Sequence, residues 1–300
     1  MIHEFAIEPE AMASSWETFR YLIEKFDIHK GRVIARFPKK WERMVYSAAG
    51  KLKPVARKRI EEKLRRSGKR KLISTGRIYD TQTNWLENAF QSHQQKPFRS
   101  IVALENSAHD GVLHPDDLDD ELPPLAIKRE QRIPRTATDI AKTVAPLLGV
   151  SKTLLLVDGH FRPQRPKYQA VVKAIINAAT QDNHTIVRFE YHCLGGAKKP
   201  PTSEFHRHCQ FLSELLPKNI SLTIIRWDDE TVAEDFHARY VLTDIGGIRI
   251  DRGLDEGNQG ETTDIGLLDH ALYLERWRCF QKGQSPYQFI DEKIVTSSST

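Results

Sequence analysis

Between residues 138 and 281 the chain alternates short apolar runs with amphipathic stretches, and this alternation restricts the fold more than any other feature. TLLLVDGHF at 153–161 is apolar without interruption up to Asp158, as a strand buried on both faces should be. KYQAVVKAIINAATQ at 167–181 follows, with Tyr168, Val171, Val172, Ile175 and Ile176 on one side of a helix. The pattern then repeats. TIVRFEYHCL at 185–194 predicts a strand, SEFHRHCQFLSELL at 203–216 a helix, and ISLTIIRW at 220–227 a strand. Residues 237–253, HARYVLTDIGGIRIDRG, read as strand, Gly-Gly turn and strand, which is a hairpin. LLDHALYLERWRCFQ at 267–281 closes with a helix, and another opens at Thr138, bent or ended by Pro146. Elements in this order predict an α/β domain, with helices packed around a mixed sheet.

The first part of the chain follows a different rhythm. Met12, Trp16, Phe19, Ile23 and Phe26 recur at three- and four-residue spacing, one helical stripe. Trp41, Met44, Val45 and Ala48 repeat it after Pro38, a favourable helix start. A basic helix is expected from Pro54 to Ser67, stopped by Gly68, and a short one around Trp85, Leu86 and Phe90. RSIVALE at 99–105 predicts a strand. Residues 106–135 are acidic, carry Pro and Gly, and have no periodicity, as a linker would. Two domains follow: residues 1–130, mostly helical with the acidic linker at their end, and residues 131–300, α/β.

The net charge of +5 hides an asymmetry. Residues 51–72, KLKPVARKRIEEKLRRSGKRKL, hold eleven Lys or Arg against two Glu, a net +9, so the rest of the chain sums to −4. A local positive stretch is the electrostatic footprint of a polyanion partner. The residues expected to meet nucleic acid are Arg57, Lys58, Arg59, Lys63, Arg65, Arg66, Lys69, Arg70 and Lys71; the plainer alternative is a solvated helix face. No apolar run approaches the ~18 residues of a membrane span, and the first ten residues carry acids where a signal peptide would be basic. The expectation is a soluble, unexported, cytoplasmic protein without a membrane partner. Cys193, Cys209 and Cys279 are far apart and form no CxxC pair, which argues against a thiolate zinc site and fits a reducing compartment. His206 and His208 on a helix would diverge by about 200°, the wrong spacing for one metal. No metal and no cofactor is expected.

The chemistry concentrates in the hairpin, where His237, Arg239 and Asp244 stand as H-x-R-x-x-x-x-D. Two residues apart on a strand, His237 and Arg239 project to one face. An imidazole can attack phosphorus directly, and a guanidinium beside it can hold phosphate oxygens bidentately and stabilise developing charge. Asp244, at the turn, either orients an imidazole or holds the hairpin. This spacing, in this order of elements, resembles the HxKxxxxD signature of the phospholipase D superfamily over roughly residues 150–285, with Arg at the Lys position. TLLLVDGHF also resembles the apolar strand ending in Asp that opens such domains.

The resemblance implies a phospholipase-D-like mixed sheet flanked by helices and a metal-independent phosphodiesterase that uses two histidines, one as nucleophile and one as proton donor. A single motif implies a homodimer whose two-fold axis brings His237 to its own copy. Two departures stand out. Arg keeps the charge of Lys but not its shape. Gly253-Leu254-Asp255-Glu256 also occupies the place where many family members carry Gly-Ser-x-Asn. Asp255 and Glu256 either support the histidine or mark a site without turnover. His160, just past Asp158 at a strand end, is a further supporting candidate, and Lys198 and Lys199 could touch phosphate from a basic loop. The expected function is therefore a nuclease-type phosphodiesterase; the alternative is a non-catalytic nucleic-acid- or protein-binding subunit with a degenerate form of the fold. A larger assembly with an ATP-driven motor is an expectation by fold analogy alone. A phospholipase is disfavoured, since no amphipathic face rich in exposed Trp or Leu is visible.

Overall fold

The structure is a computed structural model; it describes the whole chain except residues 106–110, 182–185, 197–198, 231–235, 237 and 299–300 and the side chain of Lys69. Two compact units divide it, Met1–Arg129 and Glu130–Thr300. Among the described residues no helix is long and apolar enough to cross a membrane.

The first unit runs β1 (His3–Ile7), α1 (Pro9–Met12), α2 (Trp16–Lys25), β2 (Arg32–Ala35), α3 (Trp41–Ala49), α4 (Pro54–Lys71), β3 (Leu72–Ile73), α5 (Trp85–Gln95), β4 (Ser100–Val102) and β5 (Val112–Leu113). The local signals are conventional. Ser15 accepts from Thr18 N to cap α2, Asn84 accepts from Glu87 N to cap α5, and Pro54 starts α4. Helical residues outnumber strand residues, yet the centre is a five-stranded sheet, ordered β3-β2-β1-β4-β5, with every pairing parallel. Reading residues 8–95 as helical overlooked β2 and β3. Strands of four and two residues, covered on both faces, show no polar alternation to read. One face packs Phe5, Ile34 and Leu72 on α2, α3 and α4 through Phe19, Val45 and Leu64; the other sets Ala35, Phe37 and Ile101 against Trp85 and Ala89 of α5.

The helix α4 also departs from expectation. It continues past Ser67 to Lys71, with a break at Gly68, whose φ of 53° and ψ of −167° suit glycine only. Ile60 and Leu64 bury its inner face, while Arg57, Lys58, Arg59, Arg65 and Arg66 lie exposed on the outer one.

The second unit runs β6 (Glu130–Pro134), α6 (Ala137–Leu148), β7 (Thr153–Val157), α7 (Pro166–Thr180), β8 (Arg188–Leu194), α8 (Thr202–Cys209), β9 (Ser221–Asp228), β10 (Arg239–Thr243), β11 (Gly247–Ile250), β12 (Thr262–Leu267), α9 (His270–Cys279) and β13 (Gln288–Thr296). Its mixed sheet has eight strands in the order β13-β9-β8-β7-β10-β11-β12-β6. β7, β8 and β9 are parallel; β10 turns antiparallel against β7 and forms the hairpin with β11. The alternation from Thr153 onward is thus realised as a mixed α/β sheet. Pro146 sits inside α6 without ending it, and the helix expected at 203–216 becomes a 3-10 turn after Cys209. The outer strands β6, β12 and β13 went unforeseen; β6 and β13 are edge strands, β12 alternates only weakly, and all three carry many exposed polar residues.

One face of this sheet holds a buried polar chain. Trp227 Nε1 donates to His192 Nδ1 at 2.9 Å, and His192 Nε2 lies 3.1 Å from Glu190 Oε2, which Arg188 also engages. Indole nitrogen only donates, so Nδ1 of His192 is the acceptor and Nε2 carries the proton toward Glu190. Burial pushes the His192 pKa down. Burial opposes ionisation of Glu190 too, but its bonds to His192 and Arg188 win and hold it at about 2.

A neutral histidine in the folded state contributes stability that is complete above its ordinary unfolded value and is lost as pH falls below about 6.5. His192→Gln keeps one acceptor and one donor without a titrating proton. In urea melts between pH 7 and 5 the wild type should lose stability more steeply than this variant, by up to about 1.4 kcal/mol per pH unit. Equal slopes would mean that His192 is protonated in the folded protein. His3, which burial first and then neighbouring positive charge hold down to about 4, titrates in both proteins and cancels.

Candidate functional site

β7 ends in Asp158, and this side chain organises one edge of the sheet. It is fully buried. Its Oδ1 accepts from His160 N at 2.8 Å and its Oδ2 from Leu254 N at 2.9 Å, tying the end of β7 to the chain beyond β11. Burial raises its pKa, against the pull of those two N–H groups and of Arg239. Tyr240 pairs with Val157 across the sheet, so Arg239 emerges one step beyond, beside Asp158. The Arg239 Nε lies 3.9 Å from Asp158 Oδ1, close enough for charge attraction but too far for a hydrogen bond. That Nε is buried and has no hydrogen-bond partner among the described residues, while 22% of the side chain is exposed. The guanidinium is therefore steered by a carboxylate without being consumed by it.

His237 lies outside the described residues. Phe236, which precedes it in the sequence, is described. Phe236 N donates to Asp229 Oδ2 at 3.0 Å, and the Phe236 ring packs on Phe280 and Tyr287. Gly159 lies so close that a β-carbon there would stand 2.7 Å from the Phe236 carbonyl oxygen. Phe236 is thus held close to Gly159, just past the end of β7.

Asp244 does not join this cluster. Its Oδ1 accepts from Lys152 N at 2.6 Å and Thr153 N at 3.2 Å, fastening the hairpin turn to the start of β7. Five strand residues at ~3.3 Å each separate it from Arg239 by roughly 17 Å. Of the two roles open to Asp244 in the sequence, these bonds support holding the hairpin, since strand geometry carries the motif's last residue to the edge opposite Arg239.

The supporting residues divide likewise. Asp255 is ion-paired with Arg135, which also donates to the Arg252 carbonyl. It lies near Asp158, since a β-carbon on Gly253 would meet Asp255 Oδ1 at 2.7 Å and Asp158 Oδ2 at 3.3 Å. Glu256 accepts from Ala137 N at 3.0 Å, at the start of α6. His160 contributes its backbone N–H to Asp158, and its side chain is exposed. Lys199 donates to the Gly159 carbonyl at 3.3 Å; Lys198 lies outside the described residues.

Two tyrosines complete the setting and escaped the sequence reading. Tyr191 is fully buried, stacks on Phe161 at 3.7 Å between centroids, and its hydroxyl has no hydrogen-bond partner among the described residues. Tyr168 meets Phe161 edge-on. Burial first, then the charge of Asp158, pushes both phenols up, so they remain neutral donors. Tyr191 reads as core in its strand, and only the register that sets β8 beside β7 brings it near Asp158. Among the described residues no group of three or more His, Cys, Asp or Glu is arranged as metal ligands.

In the first unit the basic residues of α4 are partly engaged. Arg57 pairs with Glu61, Arg59 lies 5.8 Å over the Trp16 ring, Arg70 donates to Asp27, and Lys71 donates to the carbonyls of Ile23 and Phe26.

No family model matches the chain, and no curated protein matches it. Among solved structures it is similar to the phospholipase D family member Nuc from Salmonella typhimurium, at 10% identity and a TM-score of 0.34 over 54% of this chain and 97% of that one. It is also similar to TrmBL2, an archaeal chromatin protein described with a novel mode of DNA binding, at 12% identity and a TM-score of 0.28 over 55% of each chain. Both superpositions are loose.

Asp244→Ala should lower the unfolding free energy by about 1 kcal/mol, since it leaves the part-buried Thr153 N–H and the exposed Lys152 N–H without their acceptor. Arg239→Ala, which breaks no hydrogen bond within the fold, should stay within about 1 kcal/mol. Urea titration of both variants checks the division; an Asp244→Ala protein as stable as the wild type would remove its structural role.

Proposed function

We propose that the chain is a nucleic-acid phosphodiesterase of phospholipase D type. In this reading His237 attacks the phosphorus and forms a phosphohistidine as the P–O bond to the leaving oxygen breaks. His237 of a second copy gives that oxygen its proton and then takes one from the water that releases the product. The observation that carries the reading is Arg239. It begins β10, points to the same face as Asp158, and keeps a buried Nε without a hydrogen-bond partner among the described residues. A charged fork held in a partly buried site and not neutralised by a close ion pair is suited to phosphate oxygens. The hairpin, the strand order and the Asp that ends β7 support it. The basic face of α4 would hold the polyanion.

A second reading is supported by the segment after β11. Asp255 and Glu256 are committed to Arg135 and to the Ala137 N–H, and no hydroxyl or amide side chain stands at residues 253–256. A binding subunit that keeps the fold and has lost turnover would look the same there.

A nuclease assay with EDTA present separates the two. His237→Ala should abolish hydrolysis and Arg239→Ala should slow it about 10²-fold, roughly 3 kcal/mol of transition-state stabilisation; Arg239→Lys should retain much of the rate. Activity that survives His237→Ala but dies with EDTA would point to another centre. Tight binding without cleavage, alone or with natural partners, would establish the binding subunit instead.

Binding itself should weaken with log salt at a slope of about −0.9 per phosphate contact on duplex DNA. Reversing Arg57, Arg59, Arg65 and Arg66 to Glu together should remove most of it. Unchanged binding would make α4 a solvated face or a protein-docking surface.

A further inference from the structure

The break in α4 does more than lengthen a basic helix. Lys63, Arg66, Ser67, Gly68, Arg70 and Lys71 line a hollow of about 480 Å³ that opens to solvent. On an unbroken helix residues at this spacing form a convex stripe; here the stripe carries a concavity at the residue where the helix is interrupted.

The charges in the hollow are arranged in two tiers. Lys71 is anchored, its Nζ donating to the carbonyls of Ile23 and Phe26 at 2.7 Å each, with Asp27 Oδ2 at 4.0 Å. Arg70 is fixed on the same Asp27 carboxylate at 3.0 Å. Lys63 and Arg66 take part in no ion pair among the described residues, and Arg66 is exposed. Asp27, the carboxylate that Arg70 and Lys71 meet, also accepts from His29 N. Burial, more than Asp27 offsets, lowers the pKa of Lys71, and Lys30, Arg70 and Lys63 add to the effect. A concave group of four cations, two of them held on one carboxylate, favours an oxyanion, and Arg and Lys together supply the fork and the point charges that phosphate recognition uses.

We infer that the hollow at Gly68 is a phosphoryl-binding site, in which Lys71 and Arg70 form a fixed floor and Lys63 and Arg66 close on the anion. This rests on the reading of α4 as the polyanion-binding element, and sharpens it from a uniformly charged face to one seated phosphate of the strand.

The test compares variants of equal charge in the full chain. Anisotropy of a fluorescein-labelled 20-mer at fixed salt is followed for Lys63→Gln/Arg66→Gln, in the hollow, and for Lys58→Gln/Arg65→Gln, on the same helix outside it. The hollow pair should weaken binding at least tenfold and the outer pair less than threefold. Gly68→Ala, which changes no charge but disfavours the break, should also weaken binding. Equal losses from the two pairs would overturn the seated phosphate and leave general polyanion binding standing. If the wild type binds no oligonucleotide, that broader reading fails, and calorimetric titration with pyrophosphate still decides the hollow. Pyrophosphate binding lost only in the hollow pair supports the site with a free phosphate as its source; absence of pyrophosphate binding as well overturns it.

Discussion

A carboxylate removed from water must find donors, and Asp158 draws them from separate parts of the chain. It ends the central strand β7, accepts from the turn that follows it and from Leu254 beyond the hairpin, and faces Arg239 at the start of β10. Without those N–H groups the buried charge would cost several kcal/mol; with them, the ends of β7, β10 and β11 are held at one edge. Gly159 and Phe236 approach closely at the same edge.

The side chain of Arg239 suits its place beside Asp158. A guanidinium is planar, with its charge spread over three nitrogens. Here Nε sits near Asp158 at 3.9 Å, so charge attraction orients the group without a bidentate pair that would occupy its donors. The neighbouring phenols of Tyr168 and Tyr191, kept neutral by burial and by Asp158, add further donors to the same surroundings.

In the first unit the governing constraint is the parallel sheet. Parallel strands need cover on both faces, and α4 is one of the covering helices, with Ile60 and Leu64 turned inward. Its inner face is committed to packing, which leaves its basic residues to the outside and to the break at Gly68. Helix and charge were both readable from residues 54–71. The hollow was not, because it depends on a backbone conformation at one glycine and on Asp27 and the Ile23 and Phe26 carbonyls reaching Arg70 and Lys71 from another element.

The amino-acid sequence by itself determined the alternation of the second unit, the hairpin of residues 237–253 and the placement of the basic residues on one helix, since each is a local pattern of hydrophobicity, turn chemistry or charge. It also pointed to Asp158 as a strand-end residue and to Arg239 as a residue of the hairpin's first strand. It could not assign Asp244, which five residues of strand carry to the end of β10 away from Arg239, where it meets the start of β7. Nor could it find the parallel sheet of the first unit, whose strands are too short to show a period, or Tyr191, whose hydroxyl matters only because β8 lies beside β7. Strand neighbours, and therefore which side chains share a site, are set by pairings between segments tens of residues apart, and no local pattern carries that distance.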